Sequence, residues 1–326
     1  MAIVNMRECR VVFMGTPDFA ATILQALLAA HWQIVAVVTQ PDRPVGRKRV
    51  LTSSPVKELA LAHGIKVLQP SRLRHADALA ELAACTPDVI VTAAYGQILS
   101  EAALALPGLG AYNVHASLLP AYRGAAPIQW AIRRGETVTG VSLMTMVKAM
   151  DAGPVWDTAT VPIAPEATYK EVHDLLATAG ARLTLEGLPR VLSGDLQPQE
   201  QDPARVTFAP PITRADERLD WQQSARQIVD QIRSLAPQPG AFTTMEGQVL
   251  KLYRASVIDI SRDTQQAVPG QVMSIHADGP IVYCGDGLSV LVHELQPSGR
   301  SVQSGREFVR GRPKLTGVIL GEGDPL

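Results

Sequence analysis

At 326 residues, with 46% hydrophobic and 19% charged, the chain exceeds one ordinary domain of about 150 residues and is too apolar for wholesale disorder. A net charge of -1 and a pI near 6.7 mean that any nucleic acid must be gripped by a local patch and not by the field of the whole molecule. MAIVNMRECR has no leader-like apolar run, no stretch nears the roughly 18 residues of a membrane span, and Cys9, Cys85 and Cys284 form no CxxC pair, so a cytoplasmic protein without membrane or metal is expected.

Taken in chain order, RVVFMG (10–15), QIVAVVT (33–39), DVIVTAA (88–94), AYNVHA (111–116) and GVSLMTM (140–146) are predicted strands. Between them PDFAATILQALLAA (17–30), SPVKELALAHG (54–64) and APIQWAIRRG (126–135) carry apolar residues at helical spacing. This alternation predicts an α/β domain with a Rossmann-like open, mostly parallel sheet over residues 1–192. The proline-rich, polar stretch at 193–213 is predicted to be a linker. From 214 to 326 one helix, WQQSARQIVDQIRSLA, precedes AFTTME, VLKLYRASVI, GPIVYC and LSVLVHELQP, the pattern of a small antiparallel barrel or sandwich.

The first βα turn, GTPDFA, has one glycine where a dinucleotide fingerprint needs three, and no GxxxxGK[ST] is present, so no nucleotide cofactor is expected. The densest cluster of unusual residues is NVHASLLPAYRGAAP, from Asn113 to Pro127. Asn113 and His115 lie two apart on a strand and share a face at its carboxyl end, where open α/β sheets bind ligands. An amide donor and a titratable imidazole suit acyl transfer, although a satisfied core histidine beside a capping asparagine fits the spacing equally. Asp151, before an Ala-Gly-Pro turn, can orient His115 and accept an ammonium proton, or simply make an Asx turn. The loop at 40–57 is long and basic, with Arg43, Arg47, Lys48, Arg49 and Lys57. It suits phosphate contacts or a solvated turn, and its few apolar residues predict poor order without RNA.

GTPDFA, TQPDRPVGR, SPVK, AYGQIL, NVHASLLPAYRGAAPIQWAI and MDAGPV, with ERLDW, ASVID and GDGLSVLVHELQPSGR in the second half, resemble the methionyl-tRNA formyltransferases in order along nearly the whole chain. The resemblance implies a formyltransferase fold followed by an OB-like β-barrel that binds tRNA. It implies Asn113, His115 and Asp151 as the catalytic trio, with tetrahydrofolate against Ser117, Leu118, Leu119 and Pro120. It also implies that the basic loop, Arg47 above all, enters the acceptor stem of the tRNA.

The implied reaction is transfer of formyl from 10-formyltetrahydrofolate to the amino group of initiator methionyl-tRNA, by a monomer in the bacterial cytoplasm. Two other readings share features with it. A formyltransferase for a small amine, such as an amino sugar or glycinamide ribonucleotide, or a formylfolate hydrolase, would use the same trio. A non-catalytic RNA-binding protein would need only the second domain.

Overall fold

The apolar run RVVFMG forms strand β1 (Arg10–Gly15), in which Val11, Val12, Phe13 and Met14 are all fully buried. Successive side chains of a strand point to opposite faces, so such a strand is covered on both sides, as parallel sheets are. The structure, a computed structural model, describes residues 8–45, 49–260, 267–312 and 314–323. The chain divides into two units. The first runs to Pro127 and takes in Val138–Pro162 and His173–Pro210, and the second takes in Ile128–Thr137, Ile163–Val172 and the described residues from Pro211.

After β1 come α1 (Asp18–Ala29), β2 (Gln33–Val38), β3 (Arg43–Val45), β4 (Val50–Thr52), α2 (Pro55–Ala62), β5 (Val67–Leu68), α3 (Ala76–Ala83) and β6 (Val89–Ala93). There follow α4 (Glu101–Leu104), β7 (Ala111–His115), β8 (Arg123–Gly124), α5 (Pro127–Arg133), β9 (Val138–Thr145), β10 (Val155–Pro162), α6 (Tyr169–Ser193) and β11 (Phe208–Ala209). Helix α2 starts where the Ser54 hydroxyl accepts the Lys57 amide and Pro55 needs no partner.

The main sheet has the order β10-β9-β7-β6-β1-β2-β5. Its five strands from β5 to β7 are parallel, while β9 is antiparallel to β7 and β10 to β9. The sheet is therefore mostly parallel, as the alternation predicts. The chain runs outward from β1 to β5 on one side and returns through β6 and β7 on the other, which opens a crevice at the carboxyl ends of β1 and β6. The basic loop is more regular than its composition suggests, because Arg43, Pro44 and Val45 pair with Thr52, Leu51 and Val50.

In the second unit α7 (Arg214–Glu217) and α8 (Ala225–Leu235) precede β12 (Ala241–Met245), β13 (Gln248–Ile258), β14 (Val272–His276), β15 (Gly279–Tyr283), β16 (Ser289–Pro297), β17 (Gln303–Ser304) and α9 (Gly305–Arg310). The strands form one antiparallel sheet, in the order β12-β13-β16-β15-β14 with β17 on β16. Helix α8 begins with a reciprocal cap between Ser224 and Gln227. Its Ile228, Ile232 and Leu235 join Leu250, Leu252, Val290 and Val292 in the core of this unit.

Asp230 of α8 is buried and accepts from Arg233 Nε at 2.6 Å, while Arg233 Nη1 donates to the Ala167 carbonyl at 3.0 Å. Removing the carboxylate leaves a buried guanidinium with carbonyls alone, a loss on the order of 2–3 kcal/mol. Asp230→Ala is therefore expected to lower the denaturant midpoint of this unit, and an unchanged midpoint would show that the guanidinium relaxes to water.

Candidate active site

Strand β7 ends at His115, and its antiparallel neighbour sets Asn113 opposite Met144 and His115 opposite Ser142. On the other side Asn113 pairs in register with Thr92 of β6. The Thr92 hydroxyl donates to Asn113 Oδ1 at 2.7 Å. With its oxygen tied, the amide turns its NH2 the other way, and among the described residues no protein acceptor meets Nδ2. The half-buried Asn113 of an otherwise buried strand thus presents an oriented donor.

His115 is buried, and its Nε2–H donates to the Tyr122 carbonyl at 2.9 Å. A carbonyl can only accept, so in the neutral ring the proton sits on Nε2 and the lone pair on Nδ1. Asp151 Oδ2 stands 3.6 Å from that nitrogen. The distance is longer than a hydrogen bond, which leaves the pair able to share a third group's proton. The structure brings His115 and Asp151 together, with Asn113 two residues earlier on the same strand, and it leaves Nε2 engaged by backbone while Nδ1 faces Asp151.

Asp151 has a φ of +50°, a left-handed conformation that aspartate adopts more readily than most residues. Its Oδ2 also accepts the Gly124 amide at 2.9 Å. Glycine is required at both flanks of this contact. A Cβ on Gly124 would lie 2.6 Å from the Ala209 carbonyl oxygen, and one on Gly153 would lie 2.0 Å from that of Thr145.

The Ser117–Pro120 segment follows directly. Ser117 is buried, with its hydroxyl donating to the Ala121 carbonyl at 2.6 Å, and Ser142 Oγ braces the turn by donating to Ser117 O and accepting from Leu119 N. Leu118 packs on β9, where a Cβ at Gly140 would meet its Cδ2 at 2.4 Å. Leu119 and Pro120 are half-buried. Of the basic loop, Arg43 and Arg49 are exposed, and Arg47 and Lys48 lie outside the described residues. Lys57 is spent on Asp42 at 2.6 Å. Hydrogen bonds from Lys57 and then Gln69 hold the Asp42 carboxyl below its ordinary value.

The segment read from sequence as linker instead returns to this site. Strand β11 pairs in parallel with β8, setting Phe208 against Arg123 and Ala209 against Gly124. Thr207 Oγ1 accepts the Tyr122 amide at 2.9 Å. Gln201 Nε2 donates to the carbonyls of Asp151 at 2.8 Å and Gly153 at 2.7 Å, and its Oε1 accepts from Arg123 Nε at 3.0 Å and Nη2 at 2.7 Å. Gln201 and Thr207 carry no signal of their own in the sequence, whereas Gly124 falls within the segment 113–127 singled out there and Thr92 is the polar residue inside the apolar run VIVTAA.

Residues 9–191 match the family model for formyl transferases and residues 211–313 that for the formyl transferase C-terminal domain. The methionyl-tRNA formyltransferase of Bacillus subtilis is 44% identical over 312 residues, covering 96% of this chain and 98% of that protein. Its counterpart in Bacillus velezensis is 43% identical over 313 residues, with 96% and 98% covered. Among solved structures, an N-formyltransferase from Helicobacter canadensis in complex with folinic acid and dTDP-3-aminofucose superposes with a TM-score of 0.64 at 16% identity, over 89% of this chain and 99% of that one. HypX from Aquifex aeolicus in complex with tetrahydrofolic acid gives 0.63 at 18% identity, over 92% and 46%. At those identities the structural likeness concerns the fold alone. Among the described residues no group of three or more His, Cys, Asp or Glu side chains could hold a metal ion.

Proposed function

The chain belongs to the methionyl-tRNA formyltransferase family, and from that premise we infer how its own residues carry the reaction. It transfers the formyl group of 10-formyltetrahydrofolate to the α-amino group of methionyl initiator tRNA, for translation initiation. The amine nitrogen attacks the formyl carbon on N10 of the folate, and the new C–N bond leaves a tetrahedral centre whose oxygen carries negative charge. Asn113 Nδ2 donates to that oxygen. The observation that supports this most is the Thr92 hydroxyl 2.7 Å from Asn113 Oδ1, which fixes the amide with its donors outward.

The ammonium formed by the attack must lose a proton before the tetrahedral centre can collapse toward product. The His115–Asp151 pair takes it, at Nδ1 or Oδ2, whose 3.6 Å separation suits a shared proton. The bond to N10 then breaks as the carbonyl reforms, and N10 takes up a proton. Tetrahydrofolate lies against Ser117, Leu118, Leu119 and Pro120 in this reading, supported by the bracing of that turn through Ser142. In the same reading we propose that the protein acts as a monomer in the cytoplasm.

Arg43, Arg47, Lys48 and Arg49 make the phosphate contacts to tRNA in this reading, supported by the exposure of Arg43 and Arg49 on a paired hairpin. The small-amine and hydrolase alternatives share the trio and differ in the acceptor, so the acceptor is what must be tested. Arg47→Ala is expected to impair methionyl-tRNA formylation while any slow hydrolysis of formylfolate persists. The salt dependence of tRNA binding should also become shallower, by about one unit of slope at most. Equal loss of both activities would make the loop structural, and formylation of free amines as fast as of methionyl-tRNA would overturn the tRNA reading.

A further inference from the structure

We propose that Gln201, in the polar stretch of the first unit that follows α6, is a positioning residue that sets the geometry of Asp151 against His115. The inference rests on the roles given above to those two residues.

Asp151 sits at the tip of a turn in a left-handed conformation, and such a conformation keeps its place only when its surroundings hold it. Two groups do so. The Gly124 amide holds the carboxylate at 2.9 Å, and the Gln201 amide holds the backbone carbonyls on both sides of Ala152, at 2.8 and 2.7 Å. Both N–H bonds of Gln201 are therefore used on the turn itself.

The other end of the same amide is used on β8. Gln201 Oε1 accepts two bonds from the Arg123 guanidinium, and Arg123 stands between Tyr122 and Gly124. Tyr122 supplies the carbonyl that receives His115 Nε2–H, and Gly124 supplies the amide that binds Asp151 Oδ2. One side chain thus ties the turn carrying the carboxylate to the strand that fixes the imidazole. Thr207 secures that strand independently, through the Tyr122 amide.

A primary amide suits this place because it offers two donors on one atom and an acceptor on the other. Glutamate keeps the bonds from Arg123 but turns an anionic oxygen toward two carbonyl oxygens. It should push the turn away while leaving β8 in place. Methionine keeps the length and gives up every hydrogen bond.

The test compares Gln201→Glu and Gln201→Met with the parent protein in kcat, in pH profile and in folate-binding stoichiometry, with Asp151→Asn measured beside them. We expect kcat to fall about 10- to 100-fold in both, the scale of a small misplacement in an active site. The pH profile of kcat should move as well, since the carboxylate and the imidazole then stand at a different separation. Folate-binding stoichiometry should stay near that of the parent. Turnover within about two-fold of the parent, or a loss matched by lost folate binding with an unmoved pH profile, would overturn the positioning role. If Asp151→Asn keeps its turnover, the role of Asp151 itself is wrong. If that variant fails while both Gln201 variants work, only the proposal for Gln201 falls.

Discussion

Asp151→Asn is expected to abolish nearly all formyl transfer, by about 10³- to 10⁴-fold, while folate and methionyl-tRNA still bind. The substitution keeps the size of the side chain, and its Oδ1 can still accept the Gly124 amide that Asp151 Oδ2 accepts at 2.9 Å. What it removes is the negative charge 3.6 Å from His115 Nδ1, on the carboxylate proposed to share the amine's proton. Because that proton moves only once the C–N bond is forming, the loss should fall on kcat and spare both Kd values. Direct binding measurements beside single-turnover rates check this. A variant that lost affinity and rate in equal measure would make Asp151 a scaffold for the turn at 151–153 and nothing more.

The second large effect is expected at Asn113, where alanine removes the only donor assigned to the oxyanion. Mutations of a single donor of this type cost on the order of 10² to 10³ in rate. Thr92→Val provides the internal comparison, since it leaves the Asn113 side chain whole and releases only the 2.7 Å bond that orients it. A smaller loss at Thr92 than at Asn113 is expected, because a released amide still spends part of its time in the productive orientation. Near-normal turnover of Asn113→Ala in a stable protein would remove the oxyanion role.

Much of the first unit was legible because parallel strands buried on both faces read as unbroken apolar runs, as RVVFMG and DVIVTAA do. Strand β10 was not, since VWDTATVP mixes threonine and aspartate into a strand at the sheet's edge, whose outer side is met by Gln199 at Val155. The 25-residue α6 also went unread, its glycines and internal Pro189 diluting the helical signal. In the second unit α8 was visible from its spacing, whereas β14, whose VMSIH is fully buried only at Val272, and the six-residue α9 did not stand out. At the site, Asn113 and His115 could be seen together because two residues on one strand carry their geometry with them. The partners Thr92 and Gln201 could not, because strand register and long-range contacts across 21 and 50 positions leave no local pattern.

The return of β11 to β8 changes what counts as the catalytic half of this molecule. A fragment cut at Leu192, just before the proline-rich stretch, would retain Asn113, His115 and Asp151 and yet discard Gln201, Thr207 and the strand that backs Gly124. The smallest piece able to keep its reactive groups in register extends to Pro210, where the first unit itself ends. Because the second unit also takes in Ile128–Thr137 and Ile163–Val172, a single cut at Pro210–Pro211 keeps the reactive side chains in register yet severs Arg233 from the Ala167 carbonyl, so recombining this half with a different acceptor-binding half must carry those two segments along with the second unit.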